Sequence, residues 1–490
     1  MKLRAGSPSY SSGRLPLVPF VARHAGDILA LVPLAFLIGA VCQYAVAVPF
    51  WDQWELVPLL DKTYHGSLTF SDLWAQHNEH RLLFPQIIML ALARLTHWDI
   101  RYELALNLLL ALGIFAVFIH QVRITARKLG PGGLRWAVPV IALIVFSLAQ
   151  YQNWLWGWQM QMFLNLLAVV GGIVLLAHET FQWRRFAFAA LLGIVATYSF
   201  ADGLLFWPLG FCLIFVVTAG TKRVKAALAG WTLISVLTLA SYFYHYQKPE
   251  GHPPLSLVFK MPLEYAAFVL KYTGNLCAQN IGGSDTIDGT FALIFGLAAL
   301  VAFGWTIGML LRQRMADARS LLPYLGMSLY SLGSALMTGI GRIGFGSNQA
   351  LYSRYGTMMV PFWVALVVFL FLLRGGDAQT ADAAAASKPG RGWQSPAVCR
   401  IIAGGSLLAA VTLLLLGSVC ALAGVQQFSR SQAYGRNALL NLAAHPGSDI
   451  DYRGLSLLYP RPHVLLQRCP VLLQHQLSVF RNPRRPAASP

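Results

Sequence analysis

Charge is what this 490-residue chain has least of: 11% of its residues are Asp, Glu, Lys or Arg, and only 19 are acidic. A soluble domain carries about 25% charged residues and about 45–50% apolar ones. Here the apolar share is 56%. A chain so poor in charge could not cover its own surface with polar groups, which excludes a cytoplasmic enzyme, a disordered protein and a secreted disulfide scaffold. Cysteine is scarce as well. Cys42, Cys212, Cys277, Cys399, Cys420 and Cys469 form no CxxC pair and no metal-ligand spacing. Most lie in apolar runs, where a thiol is simply buried; Cys277 and Cys469 alone could meet on an oxidising side. Also missing are a Walker A loop, a GxSxG elbow, an HExxH helix and a charged relay inside the apolar runs. What the chain does contain is apolar sequence spread along its whole length, the mark of an all-α polytopic membrane protein.

Apolar runs long enough to cross a bilayer fall near 26–48, 103–122, 136–151, 159–178, 186–201, 203–219, 226–246, 290–311, 320–340, 356–373 and 400–423. This predicts about 11 transmembrane helices, several close to the minimum for a core of about 30 Å. The shorter apolar stretch 84–98, interrupted by Arg94, reads as an interfacial or re-entrant helix.

The net charge of +18 does not point to nucleic acid, because the basic residues stand in short clusters between the apolar runs. With the N-terminus placed in the cytoplasm, 20 of the 37 Lys and Arg fall in inner segments, nine in outer loops and eight in the final tail. Acidic residues do the reverse, with 14 of 19 on or bordering the outer side. The expected order is therefore a basic cytoplasmic tail (1–25), a transmembrane module (26–373) with a large first outer loop (49–102), and a cytoplasmic Ala/Gly linker (374–399). A last span (400–423) and a periplasmic tail (424–490) complete it. The linker is low in complexity and expected to be disordered.

Four outer features carry the candidate chemistry. In WDQWE, Asp52 and Glu55 follow the first span and share one face if the stretch is helical; in NEHR, Glu79, His80 and Arg81 stand just before the apolar 82–93 run. Carboxylates and a guanidinium at a membrane surface are costly to hold without partners, which gives them functional weight beside the plainer reading of a solvated loop with a tryptophan belt. In QYQNWLWGWQMQ, Trp154, Trp156 and Trp158 alternate with amides. Aromatic faces stack on sugar rings and amides bond hydroxyls, although interfacial anchoring explains the same tryptophans. Asp202 occupies a tight outer turn with Gly203, where Asp is also an ordinary turn residue. Arg342 and Arg354 lie on the outer side, and Arg354 heads the tenth span between Tyr352 and Tyr355. A guanidinium at that depth matches a lipid-linked phosphate, and equally an ordinary head group reached by snorkelling.

WDQWE directly after the first span, NEHR before an interfacial helix, and SRY leading into a late span resemble bacterial members of the GT-C superfamily. These are polytopic glycosyltransferases that use polyprenyl-phosphate sugars, such as protein O-mannosyltransferases and the aminoarabinose transferase of lipid A. The likeness covers roughly residues 20–370. It implies that Asp52 is the acidic residue of the first outer loop, acting as catalytic base or metal contact. It also implies that Glu79, His80 and Arg81, with Glu55 nearby, contact donor or metal, and that Arg354, helped by Arg342 or Arg81, holds the lipid phosphate. No DxD is present, and His80-Arg81-Leu82-Leu83-Phe84-Pro85 stands where some relatives have an HPP-like element. A divalent metal, Mg or Mn, is allowed by the resemblance without being required.

The function so implied is inverting transfer of a sugar to a glycan, lipid or protein acceptor on the periplasmic side of a bacterial inner membrane, with membrane lipids as the surroundings. A transporter or flippase of a lipid-linked saccharide is the alternative, and a non-catalytic subunit of an envelope-assembly complex is a third. A transporter calls for ionisable residues at mid-membrane depth or broken helices in matching halves, whereas these charges gather at one surface.

Overall fold

The structure, a computed structural model, describes residues 24–130, 133–249, 251, 253–312, 318–375, 395–445 and 449–481. Residues 1–23 of the expected N-terminal tail and 376–394 of the expected 374–399 linker lie outside the described residues. Among those that are described, nine helices are long and apolar enough to cross a membrane: His24–Tyr44, Ile100–Leu129, Leu134–Leu155, Gly157–Leu176, Ala201–Thr218, Val224–Phe243, Asp285–Arg312, Ser353–Gly375 and Ala397–Ala444. The other two predicted spans are helices of a different kind. Trp183–Thr197 has 15 residues, and Ala318–Arg342 carries a polar stripe whose Ser328, Ser331 and Ser334 are buried against neighbouring helices.

Local sequence explains the boundaries. Asp99 caps Ile100–Leu129 by accepting the Arg101 N–H at 3.1 Å, Glu103 stands in its first turn, and Arg127 and Lys128 face the negative end of the helix dipole. Ser395 caps the last helix through Val398 N–H at 3.4 Å, with Pro396 at the first helical position, where its missing N–H costs nothing. Leu134–Leu155 is interrupted at Phe146–Ser147, and the Ser147 hydroxyl restarts it by accepting the Ala149 N–H at 3.2 Å.

Within Ser353–Gly375, the stretch Gly356–Leu373 is wholly buried at the centre of the bundle. Around it, helices turn large apolar side chains outward, among them Leu233, Leu237, Ile294, Val301, Leu408 and Leu415. Such an outer face suits lipid rather than water, so close packing has to hold the helices together. Pro262–Gly274 meets Asp285–Arg312 at Gly274 and Gly296. A Cβ on either would come within 2.0 Å of the opposing main chain, so only glycine allows this approach.

The first outer loop is built of short elements: a 3₁₀ turn at Trp51–Leu56, helices Val57–Tyr64 and Phe70–Trp74, and a two-residue hairpin pairing Gln76–His77 with His80–Arg81. The apolar helix Leu83–Thr96 follows, close to the expected 84–98. At the other end of the chain the helix that contains the expected span 400–423 does not stop there. One helix runs from Pro396 to Ala444, 49 residues or roughly 70 Å. Its extension carries the tail back onto the first loop. There Val48, Trp54, Leu60, Leu82, Met89 and Trp98 share a hydrophobic cluster with Leu439, Leu455, Leu465, Cys469, Leu472 and Phe480. Cys469 belongs to this cluster and Cys277 to the main helical core, so the two thiols do not meet.

Candidate functional site

The loop, the helix ends and the late turn together enclose a cavity of about 550 Å³. Eight candidate residues line it: Asp52, Glu79, His80, Trp156, Trp158, Asp202, Arg342 and Arg354. They arrive from five separate stretches of sequence. Glu55, Arg81 and Trp154 are not on its wall.

Phe50 is extended and Trp51 has a positive φ of 49°, so the chain leaves the first helix through a sharp corner that starts the 3₁₀ turn carrying Asp52. The corner is fastened from within. Gln53 accepts the Phe50 N–H at 3.0 Å and donates to Glu103 at 2.6 Å, and Glu103 also accepts from the Trp98 indole at 2.9 Å. This leaves Asp52 facing the cavity, 3.9 Å from His77 Nε2. Burial pushes its carboxyl above the ordinary aspartate range, while His77 and Arg354 pull it back without cancelling the rise. A carboxylate in that state is a stronger base than one in water.

Across the cavity, the turn Ser353–Tyr355 presents Arg354. Its main chain is held by amides from the first half of QYQNWLWGWQMQ: Asn153 donates to the Arg354 carbonyl at 2.8 Å and to Thr357 at 2.5 Å, and the Ser353 hydroxyl accepts the Gln152 N–H at 3.1 Å. The guanidinium sits among the rings of Tyr352, Tyr355 and Trp156, at 4.8, 5.3 and 6.0 Å from their centroids. It makes no hydrogen bond or ion pair with any described residue, so its N–H groups remain available to a ligand anion. Trp156 is itself fixed, its indole donating to the Phe50 carbonyl at 3.0 Å and its ring meeting Phe50 edge-on.

The remaining wall is knit together. Arg342 pairs with Glu79, and the Tyr242 hydroxyl donates to the Glu79 carbonyl at 2.7 Å. His80 stacks on Phe200 and accepts the Ala201 N–H on Nδ1 at 3.1 Å, which in the neutral ring leaves the proton on Nε2, toward Glu79 3.7 Å away. Asp202 is buried and accepts from Ser334, which in turn contacts the Tyr272 hydroxyl at 3.1 Å. Trp158 lies against His77, 5.1 Å between ring centroids. Gln159 and Gln161 line the cavity with side-chain oxygens that accept no hydrogen bond from any described residue, and Lys248 adds a third cation to Arg342 and Arg354.

Three expected site residues have other work. Glu55 turns to the tail, accepting from Arg468 at 2.7 Å and Tyr459 at 2.5 Å. Burial would raise its carboxyl, but these two donors outweigh it and hold the group below its ordinary range. Arg81 spends its donors on main-chain carbonyls of Tyr242 and Trp74, both at 2.6 Å, and of Tyr244, clamping the hairpin to the end of Val224–Phe243. Trp154 donates to the Ser147 carbonyl at 2.9 Å and stacks on Phe163 inside the core. Gln159 and Gln161 are among the amides that the sequence sets beside the tryptophans, whereas His77 and Glu103 are not singled out by it. An acid inside an apolar run is a signal for Glu103, and the pairing of His77 with His80 across the hairpin is one for His77.

Within the cavity no three carboxylate or imidazole ligands converge among the described residues, since Glu79 is engaged by Arg342 and Asp202 by Ser334; the one group that does converge lies elsewhere. Comparison with protein families, with curated proteins and with solved structures finds no match to this chain.

Proposed function

We propose that this chain is a GT-C-like glycosyltransferase that moves a sugar from a polyprenyl-phosphate donor to an acceptor on the periplasmic side of a bacterial inner membrane, with inversion at the anomeric carbon. The observation that carries the reading is the pairing, across one cavity, of a carboxylate of raised basicity with an arginine whose guanidinium has no acceptor among the described residues. In this reading the chain has about 11 spans with its N-terminus in the cytoplasm, and the 20 inner basic residues support that orientation.

The donor's phosphate lies against Arg354, with Lys248 and the Glu79-paired Arg342 adding positive charge nearby. Trp156 and Trp158 flank the sugar, and Gln159 and Gln161 accept from its hydroxyls. An acceptor hydroxyl approaches Asp52. As its oxygen bonds to the anomeric carbon, Asp52 takes the hydroxyl proton and the bond from carbon to phosphate oxygen breaks. The departing polyprenyl phosphate carries the electron pair away, and Arg354 stabilises its charge. His77 steadies the Asp52 carboxylate between turnovers.

The test is mass spectrometry of lipopolysaccharide, glycoproteins and lipid carriers from cells lacking the chain or carrying Asp52→Asn. Loss of one sugar from an acceptor in both strains is expected. Intact glycans in the Asp52→Asn strain remove Asp52 as base. Accumulated lipid-linked sugar that fails to cross the membrane favours the transporter, a reading to which the buried Asp202 at the head of a span lends weight. A reporter fused at residue 490 should read on the outer side, and a cytoplasmic signal overturns the span count.

A further inference from the structure

Away from the cavity, where the tail meets the first loop, three potential ligands converge. Asp61 and His65 stand one turn apart at the end of helix Val57–Tyr64, and His475 ends the tail helix Pro462–Gln474. One ligand atom from each lies within 4.8 Å of the other two. His65 Nδ1 is 3.3 Å and His475 Nε2 is 3.4 Å from the same Asp61 oxygen. Ligands about 2.0–2.1 Å from a tetrahedral zinc ion are about 3.3–3.4 Å apart along each edge, which matches both edges that meet at Asp61; the third edge, between the two imidazoles, lies within 4.8 Å and closes by side-chain rotation of the exposed His65.

From this geometry we infer that Asp61, His65 and His475 form a zinc site that clips the C-terminal tail to the first outer loop. Two imidazoles and one carboxylate favour zinc over magnesium or calcium, which prefer all-oxygen shells. The fourth position is left to water. His475 is pre-oriented by stacking on Tyr64, with centroids 4.2 Å apart and planes 15° apart. His65 Nδ1 also lies 2.9 Å from the Asp61 carbonyl, a bond the metal replaces as that nitrogen gives up its proton. The neighbouring cations are engaged elsewhere, Lys62 with Asp72 at 2.5 Å and Arg94 over the Tyr64 ring. The helix bearing Asp61 directly continues the turn bearing Asp52 and Glu55, so the clip would stiffen the segment on which the cavity is built. None of this depends on the reaction proposed above.

The untagged full chain in detergent, dialysed against micromolar zinc chloride, should retain one zinc per chain by elemental mass spectrometry. His65→Ala and His475→Ala should each lower zinc affinity at least tenfold. His65 is largely exposed, so its removal leaves folding intact and keeps the test open if His475→Ala misfolds. Zinc should also slow proteolytic removal of the tail in the parent chain and not in the His65→Ala variant. Equal zinc retention by the parent and His65→Ala, or no retention by the parent, overturns the site.

Discussion

Asp52 and Glu55 are three residues apart on one short turn, yet they look in opposite directions. Asp52 opens into the cavity, with no cation among the described residues in hydrogen-bonding contact, and burial raises its carboxyl. Glu55 points into the tail, and Arg468 and Tyr459 hold it low. The cavity-facing side of the turn is left basic and partly uncompensated, which disfavours folding but favours proton transfer. Its tail-facing side is saturated with partners, which favours a fixed position. One turn thus divides reactivity from anchorage, and substitutions on its two sides should fail in different ways.

The largest expected effect is that of Asp52→Asn. Removing a general base costs about 10²–10⁴ in rate, and the variant should lose sugar transfer by that factor while melting no lower than the parent, because a neutral amide relieves the burial of a charge. Transfer rates and thermal unfolding on the same purified protein check both halves. A variant that keeps its rate but unfolds early would reverse the assignment of the two sides. The pH profile follows with its sign fixed: the proposed base must be deprotonated, so activity should fall as pH drops through the raised pKa of Asp52, placing the acidic limb above the ordinary 3.8. A limb unchanged in Asp52→Asn would assign it to another group.

Next comes Arg354. Losing a preorganised donor to developing charge costs about 10²–10³, so Arg354→Ala should reduce transfer by that order. Arg354→Lys should recover only part, because an ammonium keeps the charge but not the two-pronged geometry that the aromatic cage holds in place. Equal activity of the Lys and Arg forms in the transfer assay would mean that point charge alone is used.

Sequence alone could not have separated Asp52 from Glu55. Both are acids after an apolar run, and what distinguishes them is Arg468, 413 positions away from Glu55. Period and hydropathy are local, whereas the choice between cavity and anchor is made by a tail that returns along a helix longer than any span requires. The same limit explains Trp154, whose indole turns to Ser147 while Trp156 and Trp158 reach the cavity: alternation shows that tryptophans cluster, not which of them the kink at Phe146–Ser147 sends inward. Arg81 sits in a polar cluster like a ligand-binding arginine, and only the main chain of Tyr242 and Tyr244 shows it to be a clamp. The helices were legible because apolar runs dictate them. Trp183–Thr197 and Ala318–Arg342 were the weakest, one being short and the other diluting its apolar run with serines that are buried against protein rather than lipid.

A smaller effect sharpens the comparison from beneath. At Gly157 a Cβ would come 2.1 Å from Glu103 Oε2 and 3.0 Å from Gln53 Nε2, the pair that fastens the Asp52 corner. Gly157→Ala should cost about 1–3 kcal/mol through overpacking. Because the displaced groups fix the corner, it should also lower transfer without touching the cavity. Unfolding and rate measurements on this variant should therefore fall together, unlike those of Asp52→Asn.

The smallest effect on transfer is expected from Glu55→Gln, and the largest part of its effect should fall on stability. Glu55 and Arg468 are mostly buried, and a charge-assisted hydrogen bond of this kind contributes about 1.5–3 kcal/mol. Gln keeps one acceptor for Tyr459 but cannot neutralise Arg468, so the loss should lie toward the lower end. The pH dependence separates this from a catalytic role. Because the Glu55 pKa is lowered by folding, its contribution is present in full above the unfolded value near 4.5 and disappears as pH falls through the lowered folded value. The parent and Glu55→Gln proteins should therefore differ in protection of the tail from protease at neutral pH and converge in acid. Convergence at neutral pH and divergence in acid would contradict the lowered pKa, and a large loss of transfer at neutral pH would place Glu55 with Asp52 on the reactive side of the turn.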